Sequence, residues 1–183
     1  MNVMLLSRDD CLKRYGSDYL TAKQVAAGNL FQLERGIWSD LQYVPEQAIV
    51  SFKYPKAILT MLSAFYHYGL TDVIPEICDL ATDRDAAKIK DRRVHQIFIP
   101  REFLEVGAET DERQGYQLRI YNRERMLIEL LRNKPSLPYD LYKEILLNYR
   151  KILPQLNIQR IQDYALVSPK SNVVVNALQT EVM

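Results

Sequence analysis

The sequence predicts an α+β protein in which a small helical module with a hairpin precedes a larger mixed domain. Three observations carry that expectation. Two short segments with helix caps, residues 7–15 and 19–27, are followed at 29–39 by a stretch that alternates about Gly36. Alternation of period two about a turn residue marks a β-hairpin. Residues 54–75 form the most apolar run in the chain, and Ile58, Leu59, Met61, Leu62, Ala64, Phe65 and Tyr68 cover most of a helical circumference. A helix apolar on nearly all sides belongs in a core. After that run, strand-like segments at 77–82, 94–99, 103–108 and 116–121 give way to helical ones at 123–132, 139–153 and 158–167.

Composition narrows the function classes. Of 183 residues, 48% are hydrophobic and 26% charged, the balance of a globular chain able to bury a core. The formal net charge is +1, so any nucleic-acid contact has to rest on a local patch. Cys11 and Cys78 lie far apart in unrelated contexts, which suits a reduced compartment better than a disulfide framework. Residues 1–7 lack a basic region followed by a long apolar stretch, so no signal peptide is expected. The apolar run is too short to span a bilayer, since a spanning helix needs ~20 apolar residues. The expectation is a cytoplasmic protein with no membrane partner.

Each element has a local reason. Ser7 caps the first helix, Asp9 and Asp10 occupy its first turn, and Lys13 and Arg14 its last; these charges complement the helix dipole. Gly16 stops it. The second helix begins at Tyr19 or Leu20 and ends at Gly28. The hairpin turns at Glu34-Arg35-Gly36. Two short helices followed by a hairpin is the element order of a winged helix-turn-helix. Residues 1–44 are therefore expected to form a winged helix-turn-helix DNA-binding domain, and residues 45–183 an α+β domain with a small sheet. Pro45 suits the first turn of a short helix to Lys53, and Pro55 pushes Tyr54 toward extended geometry. Within the apolar run, Thr60 or Pro55 opens the helix and Gly69 closes it. Residues 83–93 are polar and basic, and Pro100 ends the strand before it. The acidic residues 109–112 with Gly115 make a turn. Asn122 caps the 123–132 helix, Pro135 and Pro138 break the chain, and a weak tail follows residue 167.

Several segments together carry a resemblance. They are Gly16-Ser-x-Tyr19, Gly28-Asn-Leu-Phe-Gln-Leu-Glu-Arg-Gly-Ile-Trp-Ser39 and Ser63-Ala-x-x-x-x-Gly-Leu-Thr-Asp-x-Ile-Pro75. Leu80-Ala-Thr82 with Ala86-Ala-Lys-Ile-Lys90, and Ile120-Tyr-Asn-Arg-Glu-Arg-Met-Leu-Ile-Glu-Leu-Leu-Arg132, complete the set. In this order, over roughly residues 5–155, they resemble the AbiE-type antitoxin family of bacterial abortive-infection toxin–antitoxin systems. Tyr66-His67-Tyr68 varies the pattern that often precedes the family's Gly-Leu. The resemblance implies a type IV antitoxin of phage defence. Its winged helix-turn-helix would repress its own operon by binding promoter DNA. Its C-terminal domain would oppose a nucleotidyltransferase toxin without a stable complex.

DNA contact would draw on Thr21, Lys23 and Gln24 of the second helix, on Ser17, Tyr19 and Asn29 beside it, and on Gln32 and Arg35 of the hairpin. Arg35 at the tip would enter a minor groove. Residues 1–40 hold five Lys/Arg and five Asp/Glu, so charge alone describes a solvated helical pair; the resemblance tips the reading to DNA. The basic run from Arg84 to Arg101 is the strongest charge feature, with Lys88, Arg92 and Arg93 as its test residues. Its plainer reading is a solvated loop balanced by Asp83, Asp85 and Asp91. Asn122-Arg-Glu-Arg125 would join strand to helix or, through Arg123 and Arg125, face the toxin.

No catalytic residue, metal or cofactor is expected. Ser63 and His67 lack an orienting acid, and His67, His95, Cys11 and Cys78 lack zinc spacing. No phosphate-binding loop or dinucleotide motif appears, and Asp79 and Asp83 lack a following lysine motif. Two rival classes remain: an interaction module that sequesters a partner through its C-terminal domain, and a nucleic-acid-processing enzyme dependent on Asp79.

Overall fold

Helices and two small sheets make up a mixed α+β fold in the computed structural model, which describes residues 3–112 and 115–182. The chain divides into two units, Met1–Pro55 with Thr110–Leu118, and Lys56–Glu109 with Arg119–Met183.

In the first unit, strand β1 (Leu5–Ser7) runs directly into helix α1 (Arg8–Tyr15). Ser7 Oγ accepts from the Asp10 amide at 3.2 Å, and the Asp10 carboxylate accepts from the Ser7 amide at 2.9 Å. This reciprocal capping box satisfies two donors that a helix start otherwise leaves unpaired. Helix α2 (Asp18–Ala26) begins at Asp18, ahead of the expected Tyr19 or Leu20, because Ser17 caps it by accepting from the Leu20 amide. The hairpin follows as β2 (Phe31–Glu34) and β3 (Ile37–Ser39), turning through Gly36 at φ 86°. The sheet order is β1-β3-β2, with Leu5 opposite Ser39 and Leu6 opposite Trp38. β1 is too short to announce itself in sequence. Leu6, Cys11 and Leu30 are buried together, with Met4, Tyr15, Val25 and Trp38 packed against them. Helix α3 (Glu46–Lys53) belongs to this unit, beyond the expected boundary at residue 44.

The second unit corrects the reading of the apolar run. Residues 54–75 are not one helix but strand β4 (Ile58–Leu59) followed by helix α4 (Met61–His67), with Thr60 in the N-cap position. Ile58 and Leu59 are wholly buried at the centre of a five-stranded sheet, ordered β6 (Val94–Ile99), β5 (Cys78–Asp83), β4, β8 (Leu118–Tyr121) and β7 (Ala108–Asp111). A strand buried on both faces shows no alternation, so its sequence cannot be told from that of a buried helix. Strands β5 (Cys78–Asp83) and β6 (Val94–Ile99) are parallel neighbours, and β6 is an edge.

Three further differences follow. The expected strand at 103–108 gives way to a short helix α5 (Arg101–Leu104), and β7 (Ala108–Asp111) takes up Glu109 and Asp111, which the sequence assigns to a turn. After β8 (Leu118–Tyr121), α6 (Arg123–Arg132), α7 (Tyr139–Ile152) and α8 (Ile158–Val167) lie where the sequence places them. The weak tail is instead helix α9 (Ser171–Ala177) with a π-helical turn, Leu178–Val182. Glu181 ties it down: its carboxylate accepts from Lys134 Nζ and Tyr142 Oη, both at 2.7 Å, and its carbonyl accepts from Arg150 Nε at 3.0 Å. Among the described residues no helix is long and apolar enough to cross a membrane.

Burial pushes the Glu181 carboxyl up, but the Lys134 and Tyr142 hydrogen bonds outweigh it and hold the group below the usual glutamate range. A depressed folded-state pKa contributes stability above the unfolded pKa that is lost as pH falls through the folded one. Glu181→Gln is therefore expected to lower stability by about 1 kcal/mol at neutral pH. The difference should vanish in acid below the carboxylate range. Urea denaturation at both pH values checks this.

Candidate nucleic-acid interface

The first unit presents an outward face on α2. Tyr19 is 77% exposed, and Lys23, one turn later, is exposed beside it. Gln24 is half-buried and its Oε1 accepts from Asn29 Nδ2 at 3.1 Å, so these two side chains brace the end of α2. Gln32 and Arg35 are exposed on β2 and on the turn after it. Ser17 serves as the helix cap. Thr21 departs from expectation. It is buried, and its hydroxyl donates back to the Ser17 carbonyl at 3.0 Å, so it supports the helix from inside and is not a surface contact.

The even charge count of this module conceals an uneven surface. Asp18 is paired with Arg8 at 2.6 Å, and that hydrogen bond holds its carboxyl below the usual range. Asp10 is held in the capping box, Asp40 accepts from the Met4 amide, and Glu34 pairs with Lys53 at 3.1 Å, while Asp9 is exposed with no ion-pair partner among the described residues. Among the described residues neither Lys23 nor Arg35 has an ion-pair partner.

In the second unit the candidate residues part company. Residues 84–93 connect β5 to β6 as a strap, and Lys88 and Arg92 are exposed on it. Arg93 is half-buried and grips Asp91 with two hydrogen bonds, Nε to Oδ1 at 2.9 Å and Nη2 to Oδ2 at 2.7 Å. Its charge is therefore engaged locally. Arg123 is half-buried, its guanidinium 5.2 Å from the Tyr68 ring centroid.

Arg125 is corrected outright. It is fully buried, at 0% exposure, and cannot face a partner. Its Nε donates to Glu129 at 2.9 Å, and its Nη1 donates to the carbonyls of Phe103 and Val106. The guanidinium lies 3.5 Å from the Phe103 ring centroid and 4.1 Å from that of Tyr121. Asn122 caps α6 as expected, its Oδ1 accepting from the Arg125 amide at 2.9 Å. The sequence presents Arg125 as one of three charges at a helix start; nothing local distinguishes the inward one.

Catalytic sets are equally constrained. Ser63 Oγ accepts from the Asp79 amide at 2.9 Å and donates to the Ile77 carbonyl at 3.3 Å, joining α4 to the chain around β5. Asp79 and His95 face each other in the β5–β6 register, with Asp79 Oδ1 2.8 Å from His95 Nδ1. The second Asp79 oxygen accepts from the Leu62 amide. This carboxylate–imidazole pair went unseen in the sequence because sixteen positions separate its members and only strand pairing unites them. Ser63 is spent on backbone groups and does not bond to the imidazole. Among the described residues no three His, Cys, Asp or Glu could hold a metal ion together.

No family model matches the chain, and no curated protein does. A solved structure is similar to it. The crystal structure of the RV2827C protein from Mycobacterium tuberculosis superposes with a TM-score of 0.61 at 14% identity, covering 96% of this chain and 71% of that one. At that identity the likeness is one of fold.

Removing the buried cation should expose what it balances. Arg125→Met is expected to leave Glu129 under-paired in the core and to lower stability by about 3 kcal/mol. Adding Glu129→Leu should recover a large part of the loss, because an apolar pair of similar volume replaces an ion pair at little cost. Denaturant midpoints of wild type, single and double variants check this; a double variant no more stable than the single would contradict it.

Proposed function

We propose that the chain is an AbiE-type antitoxin that represses its own operon by binding promoter DNA and opposes a nucleotidyltransferase toxin. It acts in the cytoplasm as a regulator, not as an enzyme. The observation that carries the DNA-binding part is the exposure of Tyr19 and Lys23 on α2 and of Gln32 and Arg35 on the β2–β3 hairpin. In a winged helix-turn-helix reading, α2 is the recognition helix and the β2–β3 hairpin is the wing. Lys23 would meet base edges or phosphates in a major groove, and Arg35 would reach the adjacent minor groove. Exposed cations without internal partners suit phosphate contact, since no internal pair has to break first.

Few phosphates can be neutralised by so small a module, so affinity per chain is low and steeply salt-dependent. The antitoxin part of the proposal rests on the ordered segments between residues 5 and 155. The shared fold with the mycobacterial protein adds no residue roles.

Gel-shift titration on the chain's own promoter tests the DNA reading. Lys23→Ala with Arg35→Ala is expected to weaken binding about tenfold, since each lost phosphate contact removes one released counterion. An unchanged affinity removes these residues from the interface. Co-expression tests the antitoxin reading: the full chain should restore growth to cells expressing a nucleotidyltransferase encoded beside it, and failure to do so removes that reading.

A further inference from the structure

The strap between β5 and β6 is more than a solvated loop. Residues 83–101 hold six Lys/Arg and three Asp, a net of +3, so the rest of the chain, whose total is +1, carries −2. The three acids do not offset the whole strap evenly. Asp83 Oδ2 accepts from Arg101 Nε at 2.9 Å, with Asp85 3.8 Å from the same guanidinium, and Asp91 is gripped by Arg93. Among the described residues Arg84, Lys88, Lys90 and Arg92 are left exposed without an ion-pair partner.

These four cations sit on a fixed backbone. Gln96 of β6 acts as a clip: its Oε1 accepts from the Ile89 amide at 2.8 Å, and its Nε2 donates to the Ala87 carbonyl at 3.1 Å and to Thr82 Oγ1 at 2.8 Å. The strap is thus held over one face of the sheet, and its ordering is already accomplished before any ligand arrives. Phe98 lies two residues after Gln96, on the same face of the strand, and is 47% exposed. The Arg84 amide donates to the Ile99 carbonyl at 2.9 Å, which fixes the start of the strap at the end of β6.

We propose that this strap and Phe98 form a binding surface for a single-stranded polynucleotide. Arg84, Lys88, Lys90 and Arg92 track the phosphates, and the Phe98 ring stacks on an unpaired base. Cations that follow a backbone together with an aromatic platform are what single-strand binding needs, because every base offers a π-face. A duplex keeps its bases stacked inside and gives Phe98 nothing to receive. The proposed surface uses residues of the second unit alone.

Fluorescence anisotropy of the full chain with labelled oligouridylate RNA and oligothymidylate DNA tests the proposal. The wild type should bind, more weakly as salt rises. Lys88→Ala/Lys90→Ala/Arg92→Ala should weaken binding at least about tenfold and flatten the log–log salt slope by about 2, at roughly 0.7 per phosphate on a single strand. Phe98→Ala should weaken binding about tenfold and leave that slope unchanged. Lys23→Ala/Arg35→Ala should leave single-strand binding as it is, which separates this surface from the promoter site. All four substituted positions in the strap and on β6 are exposed, and thermal melting confirms folding of each variant. No wild-type binding at low salt, or undiminished binding by the triple variant, overturns the proposal. So does equal competition by a duplex, or indifference to Phe98→Ala, either of which would leave only a general phosphate patch.

Discussion

The second unit depends on a cation in its core. Arg125 enters α6 on the inward side and fills the space between the Phe103 and Tyr121 rings, where its charge is met by Glu129 and by two backbone carbonyls. A charge buried without such partners would cost several kcal/mol, so the chain around it has little freedom. Gly107 shows how little. It adopts φ 74°, and a Cβ placed there would stand 2.5 Å from Arg125 Cβ. Its carbonyl accepts from the Asn122 amide at 2.7 Å, and Tyr121 Oη donates to the Leu104 carbonyl at 2.8 Å. The segment from α5 to β7, strand β8 and the start of α6 are thereby tied to one guanidinium.

The same economy recurs at the surface. Polar side chains of the types that serve reactive sites are committed to holding backbone in place. Ser63 and Asp79 link α4 to β5, Gln96 pins the strap, and Glu181 secures the last helical turn. Exposed cations without an ion-pair partner among the described residues include Lys23 and Arg35 in the first unit, and Arg84, Lys88, Lys90 and Arg92 in the second. In a chain of net charge +1, the ion pairs decide where positive charge is free to meet a polyanion.

Local chemistry was legible in the sequence wherever one residue type answers one local need. Ser7 and Asn122 are caps, Gly36 turns the hairpin, and the apolar side of 123–132 lies in the core, all as their types and spacing predict. These features depend on neighbours within a few positions, so the chain itself states them.

Tertiary structure decided the rest, because the deciding partner lies far along the chain. Ile58 and Leu59 became a strand since β5 and β8 flank them, although their apolar pattern fits a helix equally well. Thr21 and Arg125 turned inward and left the candidate surfaces, and Arg93 closed on Asp91. The tail became helical because Val174, Ala177, Leu178 and Val182 are buried and Lys134, Tyr142 and Arg150 hold Glu181. The sequence by itself determined the α+β class, the caps and the basic run. Only the fold decided which of its charges are spent on partners and which remain free, since that depends on pairing across strands and helices that no local pattern records.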